Sequence, residues 1–291
     1  MRDEYQVDSI LVDENVHTMS RSVEDVLFTQ KQEELFRWLS APDPSENCNK
    51  ALDRRQEGTG LWFFQTSLFQ KWQIEENSFL WLHGIHGCGK TILSSSIIDY
   101  LEKACPERLL LYFYFDFNDS SKQTLEGLVR SLASQLYRKC KCAQAALDSL
   151  FSSHENGRRQ PSSKSLFEVF SQMLNQAKDV WIVLDALDEC RTPKGSLAEG
   201  LLSWIASLQS DQRNVHLLVT SRPEHEIEEV LRKLAKSEEN IIPIQSDLIN
   251  NDIRSYVRTR VRGGKLLERW GKNLYVLEEI ETRLMEKANG M

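Results

Sequence analysis

The sequence predicts an α/β fold: a mainly parallel five-stranded sheet covered on both faces by helices, with further helices at both ends. Three observations predict it. Short apolar runs of strand length recur along the chain, stretches of helical period separate them, and a glycine-rich turn joins the first run to the helix behind it. Uninterrupted apolar runs suit strands buried on both faces, as in a parallel sheet.

Residues 1 to about 20 are polar and aperiodic and read as a loose tail. Val23, Val26, Leu27, Leu35, Trp38 and Leu39 predict an amphipathic helix, which Pro42 and Pro44 end. A second short helix runs up to Glu57. Phe79-Leu80-Trp81-Leu82 is the first strand, followed by a helix carrying Ile92, Leu93, Ile97, Ile98 and Leu101. Leu109 to Phe115 is the second strand. Helices over 125–137 and 166–177 precede the third, Val180 to Leu184. Val215 to Val219 is the fourth. The fifth, Ile241 to Ile244, contains Pro243, which cannot donate to a sheet ladder and so belongs at an edge. Beyond Asp247 the pattern returns to helix, first with Ile253, Tyr256 and Val257, then over 274–285.

Composition narrows the function. The 291 residues are 41% hydrophobic and 27% charged, so a core can form. A net charge of −7 disfavours general nucleic-acid binding, which needs a basic face. The N-terminus is acidic where a signal peptide would be basic, and no apolar run approaches the roughly 18 residues that span a bilayer. The expectation is a soluble cytoplasmic protein with no nucleic-acid or membrane partner. The six cysteines are irregularly spaced, and Cys140 and Cys142 form a lone C-x-C. They read as reduced thiols rather than a zinc site.

Gly84-Ile85-His86-Gly87-Cys88-Gly89-Lys90-Thr91 fits G-x-x-x-x-G-K-[ST] in full. Glycines let the backbone wrap a phosphate so that several N–H groups point inward at a helix start. The Lys90 ammonium would bridge phosphate oxygens, and the Thr91 hydroxyl would ligate Mg²⁺. The match has the required context, a buried strand before and an apolar-periodic helix after, which makes the fold a P-loop NTPase of three layers. Gly84, Gly87, Cys88, Gly89 and Ile92 are candidate nucleotide-binding positions with Lys90 and Thr91.

Such a loop needs a carboxylate at the end of a neighbouring strand to support the metal. Asp185 follows Trp181-Ile182-Val183-Leu184 and fills that role; Asp188 or Glu189 would orient or deprotonate the attacking water. Arg222, just past the fourth strand, would sense the terminal phosphate with its forked cation. The guanine-reading pattern N-K-x-D fails at Leu52 in Asn49-Lys50-Ala51-Leu52, which favours ATP and ADP over guanine nucleotides.

With these segments in place, the chain resembles the NACHT family of signal-transduction NTPases, especially its fungal members and the nephrocystin-like N-terminal module. The resemblance runs from about Leu35 to the end. It rests on Gly84 to Thr91, Val183 to Cys190 and Leu218 to Pro223, with softer matches at Gly58 to Trp62 and Asp252 to Val257. It implies that Gly58, Thr59 and Gly60 lie near the base or ribose, and that the acidic strand sits between the cradle strand and the sensor strand. It also implies a switch that exchanges nucleotide, assembles with like copies and signals to an effector protein. By this reading 1–75 is a tail with a helical extension, 76–245 the NTPase core and 246–291 the start of a helical region, cut before a winged helix and repeats. Leu274, Val276, Leu277 and Leu284 would then lack their usual cover.

The leading expectation is a slow, magnesium-dependent regulatory ATPase. The alternative is a platform that holds nucleotide without productive hydrolysis. A small-molecule kinase has only Arg158-Arg159 in its favour.

Overall fold

The computed structural model describes residues 29–191, 198–210, 214–244, 246–263 and 273–288. Of the first expected helix, residues 29–39 (α1) are described and helical; its start lies outside the described residues, as do the tail and residues 289–291.

The five expected strands form one sheet. They are β1 (Phe79–His83), β2 (Leu109–Tyr114), β3 (Val180–Asp185), β4 (Val215–Ser221) and β5 (Ile241–Pro243). Every pairing is parallel, in the order β2-β3-β4-β1-β5. The proline-bearing β5 is an edge strand, as a missing N–H requires. One expectation is overturned. The sensor strand β4, not the acidic strand β3, is the one in the middle: β4 pairs with β1 on one side and β3 on the other. Strand neighbours are chosen by packing across the whole sheet, and no local run of residues reports them.

Period-2 alternation splits each strand between two cores. Phe79, Trp81, Ile182, Leu184, Leu217 and Val219 face one layer, where α1 packs with α6 (Leu125–Lys139), α7 (Gln144–Ser153), α8 (Ser163–Gln176), α9 (Ser203–Ser210) and α10 (His225–Leu234). Leu80, Leu82, Trp181, Val183 and Leu218 face the other, formed by α2 (Ser45–Arg54), α3 (Leu61–Phe64), α4 (Ser67–Ile74) and α5 (Lys90–Ala104). The result is a three-layer α/β/α sandwich. Among the described residues no helix is long and apolar enough to cross a membrane.

The helices α3, α4, α7, α9 and α10 have no counterpart in the sequence-based expectation. α10 turns Ile227, Val230, Leu231 and Leu234 to the core at helical spacing, with charged residues on its other face. The last two helices, α11 (Ser246–Gly263) and α12 (Leu274–Ala288), share a small cluster of Val257, Val261 and Leu277. Leu277 is therefore covered by α11, contrary to expectation, whereas Leu274 and Leu284 are exposed.

At the N-terminal edge of the sheet, His216 is buried and stacks on Trp181 with ring centroids 4.3 Å apart. Its Nδ1 lies 3.0 Å from Trp72 O and 2.9 Å from Ser78 Oγ. Burial pushes the imidazole below its ordinary value, against the pull of the Trp72 carbonyl. The folded chain thus resists a proton that the unfolded chain accepts below about pH 6.5. His216 costs nothing above that pH, and its cost grows as pH falls towards the lowered folded value. Urea unfolding at pH 7.5 and 5.5 should show the wild type losing more stability on acidification than His216→Phe; equal losses would contradict the assignment.

Candidate functional site

The site stands at the C-terminal edge of the sheet, where β1, β3 and β4 deliver their last residues. After β1 the chain turns through Gly84 to Gly89 and enters α5 at Lys90. Two glycines are sterically demanded. Gly89 caps α5 with φ +91°, a left-handed conformation that side chains rarely adopt. At Gly84 a Cβ would lie 2.6 Å from Cys88 Sγ and 3.1 Å from Ile244 O, so the backbone passes where only glycine fits. The Lys90 ammonium curls into the loop and donates to Gly84 O at 2.7 Å and Ile85 O at 2.9 Å.

Asp185 ends β3 and is 1% exposed. Its Oδ2 accepts from the Thr91 hydroxyl at 2.7 Å, and its Oδ1 accepts from Ser94 at 2.6 Å and Thr220 at 2.7 Å. Burial pushes this carboxyl above the usual range, while the three hydroxyls and the Lys90 ammonium pull it back. Ser94 lies one turn beyond Thr91 on α5, and Thr220 lies two residues before Arg222. Neither was singled out from sequence, because a hydroxyl in a helix or strand carries no distinctive pattern.

Past Asp185, Ala186 takes a left-handed conformation (φ 58°, ψ 52°), uncommon for a residue with a side chain. The Thr220 hydroxyl accepts its N–H at 3.0 Å. This turn starts a short 3-10 segment, Leu187–Glu189, that sends its two acids to different partners. Asp188, 3% exposed in its side chain, accepts from Arg222 Nε at 2.6 Å and Arg222 N at 2.9 Å. Glu189 Oε2 accepts from Phe117 N at 2.9 Å. Burial pushes the Glu189 carboxyl up, partly offset by that amide and reinforced by Asp188, Asp116 and Asp185. Asp188 is therefore committed to Arg222, and among the described residues Glu189 has no cation paired with it.

On the other flank of the loop a cavity of about 820 Å³ opens. Gly84, Gly87, Cys88, Gly89 and Ile92 line it together with Thr59, Trp62 and Asp252. Gly60 N donates to Asp252 Oδ2 at 2.9 Å, a contact spanning 192 residues that ties α11 to the 58–60 turn. Burial pushes the Asp252 carboxyl up, and the Gly60 N–H offsets part of that. The buried Trp62 indole nitrogen is near enough to favour the Asp252 charge but lies outside hydrogen-bond geometry. Asp252 was seen only as part of a soft match; nothing in its local sequence announces so distant a partner.

The structure thus brings Lys90, Thr91 and Asp185 together and sets Asp188, Glu189 and Arg222 beside them beyond β3 and β4; of the 58–60 turn, Thr59 lines the cavity on the far side of the loop, whereas Gly58 and Gly60 do not. A hydroxyl and a carboxylate in contact form an oxygen donor pair suited to a hard divalent cation.

A three-layer sheet with a glycine loop after its first strand and a buried aspartate two strands away defines a P-loop NTPase-like module. The family described as "Nephrocystin 3, N-terminal" matches residues 58–222, more than half of the chain, and the chain belongs to that family. It is also similar to vegetative incompatibility protein HET-E-1 of Podospora anserina, with 26% identity over 246 residues. That alignment covers 79% of this chain and 17% of the relative, so the chain spans a small part of the protein it matches. The NACHT and nephrocystin-like character expected from sequence holds.

Thr220 makes a stability test of this geometry. Thr220→Val removes one of the hydroxyls on Asp185 and leaves the buried Ala186 N–H without an acceptor. A loss of about 1–3 kcal/mol in denaturant unfolding is expected. A change within about 0.5 kcal/mol would mean that the hydroxyl does not hold the turn.

Proposed function

We propose that the chain is the nucleotide-binding regulatory module of a NACHT-type signalling protein. It holds a magnesium-bound adenosine nucleotide in the 84–91 loop, hydrolyses ATP slowly to ADP, and changes conformation and assembly with the bound state. The observation that carries this reading is the 2.7 Å contact between Thr91 and the buried Asp185, made beside a glycine loop that opens on a cavity. The residues fit the group. Positions 87 and 89 have positive φ and clear space where a side chain would stand, which leaves the loop bare enough for phosphate to approach. Magnesium keeps most of its waters and takes one or two protein oxygens besides phosphate, which matches Thr91 and Asp185.

In this reading Lys90 neutralises the phosphates, Thr91 ligates the metal and Asp185 supports it. Glu189 polarises the attacking water, and Arg222, held by Asp188, reads the terminal phosphate with its remaining N–H groups. The cavity takes the nucleoside, with Thr59 on its wall and Gly58 and Gly60 flanking that residue in the turn. Assembly with like copies and signalling to an effector protein, in the cytoplasm, follow from kinship with the NACHT family. Turnover on the order of 10⁻³ per second is expected, in the range of P-loop enzymes that act without a partner-supplied arginine.

One observation favours the alternative, a platform that binds without productive hydrolysis. Arg222 is tied to Asp188 and Glu189 to the Phe117 amide, so both groups needed for chemistry already have partners within the chain.

Calorimetry and phosphate release separate the two. Lys90→Ala should weaken Mg-ATP binding by roughly tenfold or more, and Glu189→Gln should bind normally while losing phosphate release. Rapid release that survives Lys90→Ala would overturn the proposal. Equal affinity for ATP and ADP with no release would select the platform, since equal binding shifts no equilibrium.

A further inference from the structure

Two thiols meet at the junction of α6 and α7. Cys140 is the C-cap of α6, where its N–H donates to Leu136 O at 2.8 Å. The one-turn 3-10 segment Lys141–Ala143 follows, and it folds Cys142 back onto Cys140. The sulfur atoms are 2.6 Å apart. That is longer than the ~2.05 Å of a disulfide, but well inside the roughly 3.5–4.0 Å of ordinary non-bonded contact. The two side chains have different surroundings. Cys142 is exposed, whereas Cys140 is 8% exposed and part of the larger apolar core, and its carbonyl accepts from Ala143 N at 3.2 Å. Cys142 also donates to Gln176 O, at the end of α8, at 3.1 Å.

We infer that Cys140 and Cys142 are a thiol–disulfide exchange site, with Cys142 as the attacking thiol, Cys140 as the resolving thiol and a low-molecular-weight disulfide as the oxidant.

The roles follow from exposure and contact. The Cys142 thiolate attacks one sulfur of the incoming disulfide. That S–S bond breaks, a mixed disulfide forms on Cys142, and the first leaving thiolate takes up the proton Cys142 gave up. Cys140, out of reach of the oxidant but touching Cys142, then attacks the Cys142 sulfur. The bond to the small thiol breaks, the Cys140–Cys142 disulfide forms, and the second leaving thiolate accepts the Cys140 proton. Two protein thiols are oxidised and one disulfide is reduced to two thiols.

A disulfide across a single intervening residue closes a small, strained ring. Strained and exposed disulfides are the reducible kind, so the bond should form and break reversibly. Its formation removes the S–H that Cys142 donates to Gln176, loosening the tie between this junction and the end of α8. The hydrogen bond to Cys140 pushes the Cys142 thiol up, so attack should quicken as pH rises.

The test uses the full chain treated with oxidised glutathione, followed by alkylation and peptide mass mapping. Wild type should lose two hydrogens at the 140–142 pair, carry no glutathione there, and return to the dithiol in excess reduced glutathione. Cys140→Ser should retain one glutathione on Cys142, because nothing resolves it. Cys142→Ser should react at Cys140 at least roughly tenfold more slowly than wild type does at Cys142, as expected for a buried thiol. A stable glutathione adduct on wild-type Cys142, or two alkylatable thiols after oxidation, would overturn the inference. The wild-type arm decides the matter even if a variant folds poorly.

Discussion

The arrangement depends on one buried carboxylate. Asp185 sits almost wholly buried at the end of an interior strand, and an ion in that position is costly unless hydrogen bonds replace its hydration. Thr91 and Ser94 reach it from the start of α5, and Thr220 reaches it from β4. This network ties the loop, the acidic strand and its neighbour into one unit, since buried polar groups act strongly only when each is satisfied. It also sets the path of the chain beyond Asp185. Thr220 accepts the Ala186 N–H, the left-handed turn follows, and Asp188 and Glu189 diverge to Arg222 and Phe117.

The strand order explains why Thr220 and Arg222 both matter. Because β4 lies between β1 and β3, its last residues emerge between the glycine loop and the acidic turn. A side chain there touches either neighbour, and these two touch the acidic side: the Thr220 hydroxyl meets Asp185, and Arg222 meets Asp188. On the opposite flank of the loop, the Asp252–Gly60 contact draws α11 against the 58–60 turn and closes one wall of the cavity. The proposed nucleotide would thus bridge two differently built halves, one apolar and roomy, the other acidic and close-packed.

Much of this was legible from residues alone, for physical reasons. Parallel strands buried on both faces must be apolar runs, so all five were visible, and Pro243 marked β5 as an edge. The glycine loop was visible because few other residues tolerate its backbone, and Asp185 because a charge directly after four apolar residues is conspicuous. What stayed hidden depends on distance in the chain. The position of β4 between β1 and β3, the Gly60–Asp252 contact and the cover of Leu277 by α11 all join segments with no local signal of each other. The division of labour between Asp188 and Glu189 likewise required knowing where Arg222 ends up. α10, by contrast, was legible, since Ile227, Val230, Leu231 and Leu234 keep helical spacing among charges, yet the sequence-based expectation passes over it.

The most direct test of the central claim is a calorimetric titration of ATP, with and without magnesium, into the wild type and Asp185→Asn. If the buried carboxylate supports a metal that grips the phosphates, wild-type affinity should rise by about tenfold or more on adding magnesium, near 1.4 kcal/mol, and Asp185→Asn should lose that increment. Binding of equal strength with and without magnesium, or a magnesium increment undiminished in Asp185→Asn, would contradict the account.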